Sequence, residues 1–360
     1  MAEDRGSPNG VPLYCAQPPQ TKPVLRPDLS PDRARAILVG RSKWLNGTVL
    51  HYCFFDELGA AGAGEGGGSF NKIQLDEVRS AFEEWKSLGI GLEFVEVEDP
   101  ADSEVRIGFM EGDGSWSYVG KDALGISRRE RTMNFGWDLT SPHGQATARH
   151  EIGHLLAYGH EHQNPFAGIV WDEEAVFEEL GGPPNNWPRQ TTFHNVLRKL
   201  STEEVEGSTW DPDSIMQYGF PAGLILQPEK YQQGIDSPLR LSANDKEFVQ
   251  KWYPPIGATP RGLKPFQSVE LNLSSGGQQD FEIVPAETRN YELRTFGDAD
   301  ILLVLFEEVD GEPRFLTGVD DSGVNDNGRL TVKLFQGRRY VARARLYSAW
   351  GTGNSAFMYW

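Results

Sequence analysis

Residues 150–160 read HEIGHLLAYGH, and four of the chain's seven histidines fall between positions 150 and 162. An α-helix advances about 100° per residue, so positions i and i+4 stand one turn apart on one face. His150 and His154 therefore present two imidazoles to a single metal ion, and Glu151 stands beside the first of them. A zinc ion held this way lowers the pKa of a bound water towards ~7, and an adjacent carboxylate takes its proton as the hydroxide attacks a carbonyl. His160 lies six residues past His154. A continuous helix would rotate it away, so the chain must turn after about Leu156, with Ala157-Tyr158-Gly159 as the turn. Three histidines leave a coordination position open, as in catalytic rather than structural zinc sites. His162 reads differently, as a surface side chain or one standing behind the ligands.

Around this stretch the chain falls into four parts. Residues 1–40 are rich in Pro, Asp and Arg without periodicity and read as an irregular arm. From Thr48, the run Thr-Val-Leu-His-Tyr-Cys-Phe-Phe has the β-branched and aromatic bias of a strand. A Gly-rich loop at 59–69 follows; it lacks the Lys-Ser/Thr ending of a phosphate-binding loop. Val78, Ala81, Phe82 and Trp85 mark an amphipathic helix. Leu92, Phe94 and Val95 predict a second strand, and Val105, Ile107 and Phe109 a third. Ser242-Ala-Asn-Asp245 resembles a capping box opening a helix that runs to about Trp252. The spacing thus predicts a domain over 41–255 and a Pro/Gly-rich linker over 256–265. Beyond it, over 266–360, short apolar segments (269–273, 290–294, 301–306, 330–334 and 340–346) between Gly, Asp and Asn turns predict a small all-β sandwich.

Bulk composition narrows the classes. A chain of 360 residues is too long for one small core. The net charge of −18, from 34 Lys and Arg against 52 Asp and Glu, argues against a nucleic-acid or anionic-membrane surface. No stretch approaches the roughly 20 apolar residues of a membrane span. The N-terminal MAEDRGSPNGVPLY has no apolar core of a signal peptide, so the expectation is cytosolic residence or export by another route. Two cysteines, Cys15 and Cys53, make no disulfide framework, and a single bond between them or two free thiols are both open readings.

HEIGHLLAYGH resembles the metzincin signature HExxHxxGxxH in ligands and spacing, and the following Glu161 is similar to the astacin branch. Ser214-Ile-Met-Gln-Tyr218 resembles that family's Met-turn, SxMxY. Lys43–Thr48, Ser115–Gly120 and Leu241–Asp245 resemble further segments of astacin-like catalytic domains, so the similarity covers about 40–255. The resemblance implies an α+β zincin fold, a twisted mixed sheet with an active-site helix, and a zinc-dependent endopeptidase acting on protein or peptide substrates. It implies zinc on His150, His154 and His160, Glu151 as general base, Met216 beneath the metal, and Tyr218 as a displaceable ligand and oxyanion partner. It also implies that substrate adds to an edge strand, for which Val105–Phe109 is the candidate. Glu161 in this family meets the N-terminus freed by processing; here it reads equally as a surface acid or as one standing behind the ligands.

Ala157 departs from the pattern by replacing the glycine that ends the helix in a left-handed conformation, at a cost on the order of 1 kcal/mol; Gly159 is positioned to take over part of the turn. Cys15, in the N-terminal arm, is a candidate to reach back and block zinc as a thiolate, as in other latent metzincins; an inert thiol is the other reading. The last part resembles pre-peptidase C-terminal domains, and its Asp298, Asp300, Asp320, Asp321 and Asn325–Asn327 turns raise calcium as a ligand. Two other functions share the scaffold: a binding protein that has lost catalysis, and a protease effector with one protein target. Glu151 argues against the first, because a purely structural zinc needs no adjacent base. Oligomeric state is not encoded in any of these features.

Overall fold

The computed structural model describes residues 14–15, 17–18, 42–55, 72–200, 209–256, 260–273, 277–309, 311–319, 327–347 and 353–360. These residues form two compact units. The first takes the described residues up to 18, Thr48–Leu88 and Leu92–Phe248; the second takes those from 42 to 47, Gly89–Gly91 and Val249–Trp360.

The first unit is built on the strand β1 (Val49–Phe54), the helix α1 (Lys72–Ser87), and the strands β2 (Glu93–Glu96), β3 (Val105–Gly108), β4 (Trp116–Ser117) and β5 (Met133–Asn134). Their order is β2-β1-β3-β5-β4; all pairs are parallel except β4 with β5. The apolar stripe of α1 is buried at Val78, Ala81, Phe82 and Trp85, as its spacing predicts. Phe82 stacks on Tyr52 of β1, ring centroids 4.4 Å apart. Trp85 turns its indole N–H to the carbonyl of Arg149 (3.1 Å), which ties α1 to the next helix, α2 (Pro142–Leu155).

α2 starts where its sequence says it should. Ser141 caps it by accepting from the N–H of Gly144 (3.0 Å), and Pro142 fills the first turn, where no backbone donor is missed. Below α2 lie the two-stranded ribbon β6 (Val170–Trp171) and β7 (Ile225–Gln227) and the helix α3 (Glu173–Gly181). Ile169, Val176, Leu180, Val196, Phe220 and Ile225 form the core there. The helix α4 (Ala243–Trp252) opens with the reciprocal cap the sequence predicts: Ser242 Oγ accepts from Asp245 N (3.0 Å), and the Asp245 carboxylate accepts from Ser242 N (2.8 Å).

The second unit is a β-sandwich. One sheet runs β13 (Glu312–Val319), β12 (Ile301–Val309), β15 (Tyr340–Leu346), β10 (Gln278–Ile283), β8 (Arg261–Gly262). The other runs β14 (Arg329–Leu334), β11 (Arg289–Gly297), β16 (Ser355–Tyr359), β9 (Val269–Leu271). Phe281, Leu293, Leu303, Leu305, Tyr340 and Phe357 fill the space between them. The apolar run of β12 is continuous because both its faces are covered: Leu302, Val304 and Phe306 point away from that core and pack with Leu45. Arg343 forks onto the Asp280 carboxylate (2.9 and 2.8 Å) and also donates to the Asn46 carbonyl. The expected linker is therefore partly structured, since β8 pairs with β10. Strand β10 escaped the sequence reading because only its alternate residues Phe281 and Ile283 are apolar.

Candidate active site

α2 presents His150, Glu151 and His154, all buried. It ends in a Schellman turn: Tyr158 N bonds the Gly153 carbonyl (3.0 Å) and Ala157 N the His154 carbonyl (2.8 Å). Ala157 itself takes the left-handed conformation, at φ +74°. Gly159 does not share this role, contrary to the sequence expectation, because the motif needs its positive φ one residue past the cap. The turn delivers His160 back to the first two histidines. His154 Nε2 and His160 Nε2 lie 3.0 Å apart, and the ligand atoms of Cys15, His150, His154 and His160 all fall within 4.8 Å of one another.

The outer nitrogens decide what the inner ones can do. His150 Nδ1 donates to the Ile215 carbonyl (2.7 Å), His154 Nδ1 to the Tyr158 carbonyl (2.9 Å) and His160 Nδ1 to Gln163 Oε1 (3.3 Å). Each Nε2 therefore carries a bare lone pair turned inward. His150 Nε2 is buried with no hydrogen-bond partner, and two such lone pairs at 3.0 Å repel unless a cation lies among them. Burial holds all three histidines well below the usual imidazole range, His150 at about 4, so they are neutral ligands. Zinc bound at ~2.0–2.3 Å from each donor sets the donors roughly 3–4 Å apart. The donor set fits such an ion, with the His154–His160 pair at the tight end.

Glu151 is fully buried; burial pushes its carboxyl up to about 8, a shift that a nearby cation would oppose. One of its oxygens accepts from the Cys15 thiol (3.4 Å), and the other has no partner. Tyr218 lies across the site. Its hydroxyl donates to the Cys15 carbonyl (2.6 Å), and its oxygen lies 2.7 Å from His160 Nε2. Met216 is fully buried under α2, where a Cβ on Gly153 would overlap its sulfur. The glycine inside HEIGH is thus the signal for the methionine's seat.

One sequence expectation changes, and three open readings are decided. Val105–Phe109 is not the edge: β3 lies between β1 and β5 and is buried throughout, and the antiparallel edge is β4. His162 is not at the surface; it is buried, bonds the Asn195 carbonyl (2.8 Å) and stacks behind His160 and Tyr218. Glu161 is not a solvated acid but holds the backbone N–H of Asp211 (3.1 Å), and burial pushes its carboxyl up to about 7. Cys15 and Cys53 do not pair; both are free and buried, Cys53 beside Ser103. The Gly-rich loop at 59–69, and Asp320, Asp321, Asn325 and Asp326, lie outside the described residues. Among the described residues, the sandwich holds no group of three His, Cys, Asp or Glu close enough to share an ion. No described helix is long and apolar enough to cross a membrane.

Three neutral histidines, a glutamate next to the first, and a methionine turn beneath them define a zincin of the metzincin type. No family model matches the chain. It is 25% identical over 222 residues to "Zinc metalloproteinase nas-36" of Haemonchus contortus (59% of this chain, 31% of that protein). It is 30% identical over 227 residues to "Bone morphogenetic protein 1" of Xenopus laevis (58% of this chain, 28% of that protein). Among solved structures, that of myroilysin is 33% identical, covers 60% of this chain and 98% of its own, and superposes with a TM-score of 0.51. The chain belongs to the astacin-type zinc metalloproteinases. It matches only about three tenths of the length of the nematode and frog relatives.

Proposed function

We propose that the chain is a zinc-dependent endopeptidase that its own Cys15 holds latent. The observation that carries this reading is the convergence of three bare imidazole lone pairs on one point beside a buried carboxylate. His150, His154 and His160 would hold the ion. When bound, zinc lowers the pKa of a water and polarises the scissile carbonyl.

The rest is the work of the chain's own groups. The free oxygen of Glu151 accepts the proton of the attacking water and returns it to the leaving amine. Tyr218 is committed to the Cys15 carbonyl in this state. Withdrawal of residues 14–15 frees its O–H to donate to the developing oxyanion. The edge strand β4 offers its backbone to an extended peptide; here the Ser117 backbone N–H faces the Cys15 sulfur. Burial and the Glu151 charge hold the Cys15 thiol well above the usual range, and a cation on the histidines would reverse that and draw the thiolate in as fourth ligand.

A binding protein without catalysis does not account for a buried carboxylate with an unused oxygen. An effector with one target shares all of this chemistry and differs only in substrate range. Calcium in the sandwich turns rests on sequence alone. The test is metal content and peptide cleavage for Cys15→Ala and for Cys15→Ala with Glu151→Gln. Bound zinc in both and cleavage by the first only is expected. Bound zinc with no cleavage by the first, over a broad range of peptides, would overturn the protease reading.

A further inference from the structure

The proposed latch uses two side chains, and only one of them faces the metal site. Tyr14, the residue before Cys15, is buried in an aromatic slot. Its ring lies 5.6 Å from Phe220 in a stacked arrangement, 5.3 Å from Tyr218 and 6.1 Å from Trp187. Its backbone N–H donates to Asn185 Oδ1 (3.4 Å). The slot is thus a built site with apolar walls and a backbone anchor at its mouth, one residue from the histidine cluster. Its filling is not optimal, because the phenol oxygen is buried with no hydrogen-bond partner. An extended peptide with its scissile carbonyl at the histidines would enter the same space once residues 14–15 leave.

We infer that the slot filled by Tyr14 is a side-chain pocket for an aromatic residue of the peptide substrate, next to the bond that is cut. The inference rests on the protease reading and adds its substrate class. Aromatic side chains bury more apolar surface in such a slot than any others of their length and gain from the tilted ring contacts. Phenylalanine suits it at least as well as tyrosine, since the slot offers the hydroxyl no partner. A carboxylate is excluded there, because the buried end of the slot leaves even the Tyr14 phenol oxygen without a hydrogen-bond partner.

The test uses the full chain carrying Tyr14→Ala and Cys15→Ala, loaded with zinc, so that the slot is empty and the metal open. Digestion of a mixed peptide library should enrich Phe and Tyr about tenfold over Ala at one fixed position beside the cut. Adding Trp187→Ala should reduce that enrichment severalfold. A flat profile at that position, or an enrichment that Trp187→Ala leaves intact, overturns the inference. A second measurement needs no turnover: titration of the same variant with N-acetyl-phenylalaninamide and N-acetyl-alaninamide. Tighter binding of the first supports the slot even in a chain that cleaves nothing, an outcome that removes the protease reading alone. Equal binding of the two overturns the slot whether or not peptides are cut.

Discussion

The carboxylate of Asp245 accepts from the backbone N–H of Ile215 at 2.8 Å, and the carbonyl of that same Ile215 orients His150 at 2.7 Å. The other Asp245 oxygen takes the Ser214 hydroxyl (2.6 Å). Its backbone carbonyl takes the Tyr158 hydroxyl (2.6 Å), and the Tyr158 carbonyl orients His154. One buried residue at the start of α4 therefore stands behind two of the three histidines. Groups that orient metal ligands commonly matter about 10–100-fold in metal affinity.

Asp245→Ala should accordingly weaken zinc binding by about 10–100-fold and cost about 1–3 kcal/mol of stability from the donors it strands. Competition with a chromophoric chelator measures the first and urea unfolding of the metal-free chain the second. A variant less stable but unchanged in zinc affinity would show that Asp245 only supports the fold.

Cys15→Ala should raise peptide cleavage by the intact chain at least about tenfold, because a fourth ligand closes the position that substrate and water need. The measurement is the initial rate on one peptide at equal zinc occupancy. An unchanged rate would remove the latch and leave the thiol as buried packing.

Ala157→Gly should stabilise the protein by about 1 kcal/mol, since a side chain at φ +74° carries the left-handed penalty. The expected rise in melting temperature is a few degrees. A fall instead would mean that the added freedom of the unfolded chain outweighs the strain relieved.

Asp122 supplies a pH dependence away from the metal. Burial raises its carboxyl from 3.8 to about 6 in the folded chain. The stabilisation from its bound proton is then full below about pH 4 and is lost as pH rises through about 6. Asp122→Asn should raise stability at pH 7 by about 1 kcal/mol, allowing for solvent screening, and change little at pH 4. Urea midpoints at the two pH values check this; equal effects at both would refute it.

Much of the first unit was legible because its signals are local. The stripe Val78–Trp85, the cap at Ser242 and the ligand spacing of 150–160 each reside within a few residues, where helical geometry converts spacing into position. Even the unusual Ala157 could be flagged, although not that it would adopt the glycine's conformation itself. Strand order could not be read in this way. β3 alternates as an edge or an inner strand would, and only its pairing with β1 and β5 moves the edge to β4. The sandwich was legible as a class but not strand by strand, because polar strands such as β10 bury only every second residue.

The chain's own order of residues determined the chemistry: three imidazoles, a carboxylate and a methionine turn, set by short spacings. Tertiary structure alone decided which distant groups meet them. Cys15 lies 136 positions from Glu151, Tyr218 lies 203 from Cys15, and Asp245 stands 30 from Ile215. Contacts of that separation carry no periodic mark in the sequence; they form only when burial of the whole core repays the entropy of closing the loops between them.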